Sequence, residues 1–156
     1  MNFQLSEEHK LIQKTARDFA KVELLPGVVA RDEKKIWPTD AIKKLADLGF
    51  MGMMTDSVWN GGGMDTISYA IAMEEVSRVD ASTGVIMSVN NSLVCYLLEK
   101  FANHRIKEKY LKSLALGKKL GAFSLSEPQS GSDASNMKTI AKKDGKQYII
   151  NGTKNW

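Results

Sequence analysis

The stretch Ser124-Leu125-Ser126-Glu127-Pro128-Gln129-Ser130-Gly131-Ser132-Asp133 decides how this chain is read. It gathers turn-formers, hydroxyls and a glycine into one loop, directly after the short apolar run Gly121-Ala122-Phe123-Ser124-Leu125, where the hydrophobic pattern changes its period. Upstream of it, apolar residues recur at helical spacing. The apolar run itself is expected to be a strand, Lys138 to Lys143 a second, and Asp144-Gly145 a hairpin signal leading into Gln147-Tyr148-Ile149-Ile150-Asn151. The expected fold class is therefore α+β. An all-α N-terminal helical domain occupies residues 1–118, and residues 119–156 begin an antiparallel β region.

Five helices are expected before the switch. Ser6 is an N-cap with Glu7 and Glu8 in the first turn, followed by the stripe Leu11, Ile12, Thr15, Ala16, Phe19 and Ala20, until Pro26-Gly27 ends the helix. After a polar connection, Pro38-Thr39-Asp40 opens a short helix burying Ile42, Leu45 and Ala46, and Gly49 stands where a left-handed cap would. Asp65 caps a third helix to about Val79, with Ile67, Ala70, Ile71 and Met73 inward. Glu74-Glu75 is expected at its charged outer edge, because helical neighbours point about 100° apart and cannot converge as an acid/base pair. Ala81 to Phe101 is the most apolar segment, expected as a central helix buried on most sides. Ser88, Asn90, Asn91 and Ser92 interrupt its middle with groups costly in lipid, which argues against an integral membrane segment. Those four either form a polar or kinked pocket wall or bond back to their own helix. Asn103 caps a basic amphipathic helix carrying Ile106, Tyr110, Leu111 and Leu114, closed by Gly117.

With 156 residues, 43% hydrophobic and 26% charged, the chain has material for one sizeable core. Its net charge of +4 comes from 22 Lys and Arg scattered among 18 acids without a block of one sign, a solvated surface and no nucleic-acid footprint. The single Cys95 excludes an internal disulfide, and one thiol with two histidines cannot build a standard zinc cluster. Cys95 is expected in inert core packing and His104 on the surface. Asn60-Gly61-Gly62-Gly63 lacks the strand-before, helix-after context of a dinucleotide fingerprint, so it is taken as a turn that lets the next helix pack closely. The terminus Met1-Asn2-Phe3-Gln4-Leu5-Ser6-Glu7-Glu8 has neither signal-peptide nor transit-peptide character, and a cytoplasmic location is expected by default.

In the deciding loop, Gly131 and Ser132 suit a pyrophosphate, one by allowing close backbone approach and the other by adding a donor, although the same residues also make plain turns. The order of motifs adds more. Ser126-Glu127-Pro128, Gly131-Ser132-Asp133 and Tyr148-Ile149-Ile150-Asn151-Gly152 with Lys154 and Trp156 resemble the acyl-CoA dehydrogenase flavoprotein family. Leu5-Ser6-Glu7-Glu8, Gly61-Gly62, Ala72-Met73-Glu74-Glu75-Val76-Ser77-Arg78, Ala81-Ser82-Thr83-Gly84 and Tyr110-Leu111 match its helical domain in order, with the short-chain, butyryl-CoA-like branch nearest.

The resemblance implies that residues 119–156 begin a β-barrel-like middle domain, and it implies a homo-oligomer, usually a tetramer, that binds FAD, desaturates an acyl-CoA thioester and passes electrons to an electron-transfer flavoprotein. By motif position it implies cofactor contacts from Phe123, Leu125, Ser126, Gly131, Ser132 and Trp156, with Ser132 also reaching the pantetheine of the substrate. Packing in a β-domain core is the alternative for Phe123 and Trp156. Ser126 stands where the family more often has threonine, which keeps the hydroxyl and loosens its rotamer. The chain ends in mid-pattern, so the catalytic glutamate is expected beyond residue 156, and Glu74, Glu75 and Glu127 have no claim to its role. The chain alone is expected to be inactive. The other functional readings are an inactive helical assembly module and a flavin oxidase or monooxygenase on the same scaffold.

Overall fold

A computed structural model describes residues 4–156; the reading of Met1, Asn2 and Phe3 as a terminus without leader character lies outside the described residues. There are two compact units, one ending at Ala122 and one spanning Phe123–Trp156.

The helical unit begins where capping chemistry says it should. The Ser6 hydroxyl accepts from the His9 amide at 3.1 Å and Glu7 and Glu8 complement the dipole of α1, Glu7–Phe19. The helix continues as a wider π-helical turn, Ala20–Leu24, before Gly27 breaks it at φ +97°. Ile12, Ala16, Phe19, Ala20 and Leu24 are buried, whereas Leu11, expected in the stripe, faces outward. The expected polar connection contains a helix, α2, Val28–Lys34, which buries none of its residues and so left no apolar period to read. In α3, Thr39–Asp47, the buried face is Ala41, Ile42 and Leu45, with Ala46 half-buried, and Gly49 follows at φ +76°.

Phe50, Met51 and Met53 then run through the core without regular structure. The glycine turn closes over them. The amides of Gly61, Gly62 and Gly63 donate to Asp56, Gly52 and Thr55 carbonyls at 3.2, 2.9 and 2.9 Å, so all three are consumed internally and none is left for a phosphate. Full burial of a side chain such as Leu45 or Leu111 contributes about 2 kcal/mol.

Asp65 caps α4, Thr66–Ser77, by accepting from the Ser68 amide at 2.7 Å. The buried face is Ser68, Ile71, Ala72, Glu75 and Val76; Ile67 and Ala70, expected inside, are exposed. The face is turned because Glu75 lies inside: Arg17 of α1 grips its carboxylate with two bonds, at 2.6 and 3.1 Å, and makes the charge bearable there. Glu75 is thus no outer edge, while Glu74 is exposed and pairs with Arg78 at 2.7 Å.

Asp80 caps α5, Ala81–Ser88, which runs through a π-helical stretch, Val89–Cys95, into α6, Tyr96–Phe101. This rod is long and apolar enough to cross a membrane by length and composition, yet its inward face carries Thr83, Asn90 and Asn91 beside Met87 and Cys95. Asn90 donates to Met51 and Leu114 carbonyls at 2.7 and 3.0 Å and accepts from the Gly121 amide at 2.9 Å. Asn91 donates to Phe50 and Met87 carbonyls at 2.9 Å each and accepts from the Met53 amide at 2.8 Å. Of its bonds only the one to Met87 is to its own helix. The pair clamps the irregular core segment, a use not foreseen, while the expected bonding back to the helix is present in the Asn91 bond to Met87. The rod is also not buried on most sides: Val85, Tyr96 and Phe101 are exposed.

Asn103 caps α7, His104–Ile106, which passes through π-helical Lys107–Leu111 into α8, Lys112–Ala115. Gly117 ends it at φ +64°, where a Cβ would stand 2.4 Å from that of Ala46. Cys95 is buried and His104 exposed.

In the second unit, β1, Ile140–Asp144, pairs antiparallel with β2, Gln147–Asn151, in the register Ile140 opposite Asn151 and Asp144 opposite Gln147. The two-residue loop has Gly145 at φ +58°, which the tight hairpin requires. Two expectations fail. Gly121 to Leu125 forms no strand, since among the described residues it has no ladder partner. Lys138 and Thr139 stay outside β1 because their amides are taken by Glu127. The class is α+β, a helical domain followed by a short two-stranded antiparallel sheet.

Candidate functional site

Glu127 organises the second unit. Its Oε2 accepts from the Lys138 amide and from Gln129 Nε2, each at 2.6 Å. Its Oε1 accepts from the Thr139 amide at 3.0 Å and from Lys154 Nζ at 2.9 Å. The backbone of Glu127 closes a tight turn with Ser130 through reciprocal bonds of 2.8 and 3.0 Å. The neighbouring Thr139 hydroxyl, the Lys154 ammonium and the Lys138 amide hold this carboxyl well below the usual carboxylate range. It is a fixed acceptor with no proton to exchange. The sequence reading placed Glu127 in a motif and gave it no catalytic claim, and it missed that this carboxylate organises the unit.

Lys154 ties the ends of the unit together. Besides Glu127 it donates to the Leu125 carbonyl at 2.9 Å and lies 3.2 Å from the Met137 sulfur. The next residue repeats the move: the Asn155 amide donates to the Ser126 carbonyl at 2.8 Å. Gly152 permits the approach, since a Cβ there would lie 2.1 Å from the Thr139 hydroxyl oxygen.

The carbonyls of Leu125 and Ser126 are therefore consumed on one side of the loop. A trans peptide directs its N–H opposite its C=O, so the Ser126 N–H points away from Lys154, and it has no acceptor among the described residues. The amides of Gly131, Ser132 and Asp133 likewise have none, Gly131 has open space around its Cβ position, and Ser132 is exposed. Beneath them the buried Ser130 hydroxyl donates to the Asp133 carbonyl at 2.7 Å and shapes the turn. A loop with the Leu125 and Ser126 carbonyls spent and its donors free fits an electron-rich ring edge and a pyrophosphate.

Of the residues expected at the site, Leu125 and Ser126 are joined to the Lys154-Asn155 segment that precedes Trp156. Gly131 and Ser132 sit at the turn that follows Ser130. Phe123 is partly exposed and Trp156 fully exposed, so neither is packed in a core in this structure. An open cleft of about 740 Å³ on the helical unit, along α2 and α5 and lined by Val29, Trp37 and Val85, holds none of these residues.

A helical domain joined to a donor-lined loop and hairpin has counterparts among known proteins. Residues 6–118 match the description "Acyl-CoA dehydrogenase, N-terminal domain" and residues 122–156 "Acyl-CoA dehydrogenase, middle domain". The chain belongs to the acyl-CoA dehydrogenase family. It is 42% identical over 153 residues to the mitochondrial short-chain specific acyl-CoA dehydrogenase of Rattus norvegicus, covering 98% of this chain and 37% of the relative. Butyryl-CoA dehydrogenase from Megasphaera elsdenii is 37% identical, with a TM-score of 0.92 over 99% of this chain and 41% of its own. Glutaryl-CoA dehydrogenase from Mycobacterium smegmatis, solved in complex with FADH2, is 32% identical, with a TM-score of 0.92 over 97% and 39% of the two chains. The chain thus spans well under half the length of these relatives.

Proposed function

We propose that this chain serves as the N-terminal part of an FAD-dependent acyl-CoA dehydrogenase that desaturates short- or medium-chain acyl-CoA thioesters between Cα and Cβ. The observation that carries the reading is the loop in which Lys154 and Asn155 take the carbonyls of Leu125 and Ser126 and leave N–H donors free. FAD held at this loop would supply a hydride acceptor for the β hydrogen, with a base taking the α proton. Donors from Leu125 and Ser126 would hold the pyrimidine edge, where they would favour the anionic reduced ring. Phe123 would line that side, Trp156 would flank the ring, and Gly131 and Ser132 would hold the pyrophosphate, with Ser132 also serving the pantetheine. In this reading residues 1–118 are the helical domain and 119–156 the first part of the middle domain. Glu127, locked as an acceptor, is not the base in this reading, and the resemblance places the catalytic glutamate beyond residue 156. The whole enzyme is a cytoplasmic homo-oligomer, usually a tetramer in this family, reoxidised by an electron-transfer flavoprotein.

The test is to purify the whole protein that contains this chain, measure its flavin content, and add butyryl-CoA without oxygen. Bleaching of a stoichiometric flavin is expected. Oxygen uptake without another acceptor would assign an oxidase or monooxygenase instead, and a colourless protein would leave the helical assembly module.

A further inference from the structure

Lys154 is 29% exposed at its side chain while its partner Glu127 is 2% exposed, so the pair costs desolvation that a simple loop tie would not need. The carboxylate is also met by two amides and Gln129, and the ammonium it pairs with at 2.9 Å donates at the same time to a second partner, the Leu125 carbonyl. A cation on the oxygen of a peptide draws electron density from its nitrogen and strengthens its N–H as a donor, and charged chains of hydrogen bonds reinforce one another. The chain here runs from the Glu127 carboxylate through the Lys154 ammonium and the Leu125 carbonyl to the Ser126 N–H. Its last donor is the one with no protein acceptor.

We propose that Lys154 is a positioning residue that aims and polarises the Leu125–Ser126 peptide, so that the Ser126 N–H stabilises the reduced flavin more than the oxidised flavin. This rests on the reading of the loop as a flavin site. Glu127 serves the same end by holding the ammonium over the carbonyl. Ser126 is the recipient, and its hydroxyl is not needed for the effect.

The experiment measures the two-electron midpoint potential of the bound flavin in the whole enzyme, for the unaltered protein, Lys154→Met and Lys154→Arg. With the ammonium gone, the ratio of reduced to oxidised flavin at a fixed poise falls about tenfold, a midpoint lower by about 30 mV. Lys154→Arg keeps charge and donors and stays within about threefold of the unaltered protein. Should Lys154→Met fail to fold or to keep flavin, Lys154→Gln, which can still donate but carries no charge, is expected to lower the ratio in the same direction. An uncharged variant with an unaltered potential overturns the inference and leaves the flavin reading intact. So does an equal shift in the Arg and uncharged variants, which would mean a purely structural tie. An unaltered whole protein that holds no flavin overturns both.

Discussion

Asn91 shows at the residue scale how a buried amide holds an irregular core together. Its three bonds to Phe50, Met53 and Met87 backbone groups all lie in the interior, so Asn91→Ala strands polar groups without water. The expected cost is about 3 kcal/mol, read from urea unfolding with an unchanged slope. Asp65 supplies the pH dependence. The Ser68 amide chiefly, with Ser68 and His9 side chains, lowers its carboxyl from 3.8 to about 2. A depressed carboxylate contributes stability that is complete above its unfolded value and lost as pH falls through the folded one. Protection of the Ser68 amide from exchange is therefore expected to hold at pH 5 and to decay between about pH 4 and 2, and Asp65→Asn should shift that decay away from this window. Caps such as Ser6, Asp65 and Asn103 were legible because their chemistry is local. Glu75 was not, because its counter-ion Arg17 lies 58 residues away and no spacing announces it.

At the scale of elements, packing and pairing decide what propensity leaves open. Glu127 takes the amides of Lys138 and Thr139 out of the ladder and so sets where β1 begins. Glu127→Gln is expected to speed exchange at those two amides by about tenfold or more while β1–β2 amides in mid-hairpin change little, as hydrogen exchange by NMR would show. The hairpin turn at Gly145 and the antiparallel register were readable from Asp144-Gly145 and the strand that follows. The hub itself was not, since Glu127, Thr139 and Lys154 meet only in three dimensions. Gly117 serves both local geometry and packing, with a left-handed backbone and Ala46 close by. Gly117→Ala is expected to cost more than about 1 kcal/mol in urea unfolding.

For the molecule as a whole, the exposed hairpin and the open loop around Gly131 and Ser132 are the parts with least support. Ile140, Tyr148, Ile149 and Ile150 all face outward, and a two-stranded sheet alone is marginal. The isolated 156-residue chain is accordingly expected to lose FAD during gel filtration, whereas the whole protein retains it; yellow colour co-eluting with the chain would show the opposite. The helical unit is the more self-sufficient half, with its core spread over α1, α3, α4 and the rod begun by α5. Its three π-helical stretches, Ala20–Leu24, Val89–Cys95 and Lys107–Leu111, bear on how its homologues should be aligned. A wide turn holds a residue more than an α turn of the same rise, and it brings the consecutive Asn90 and Asn91 to one interior. Single-residue gaps between relatives therefore belong inside these helices as well as in the loops. An alignment that forces such gaps into loops would shift one asparagine out of register and set its counterpart against the wrong side of the rod.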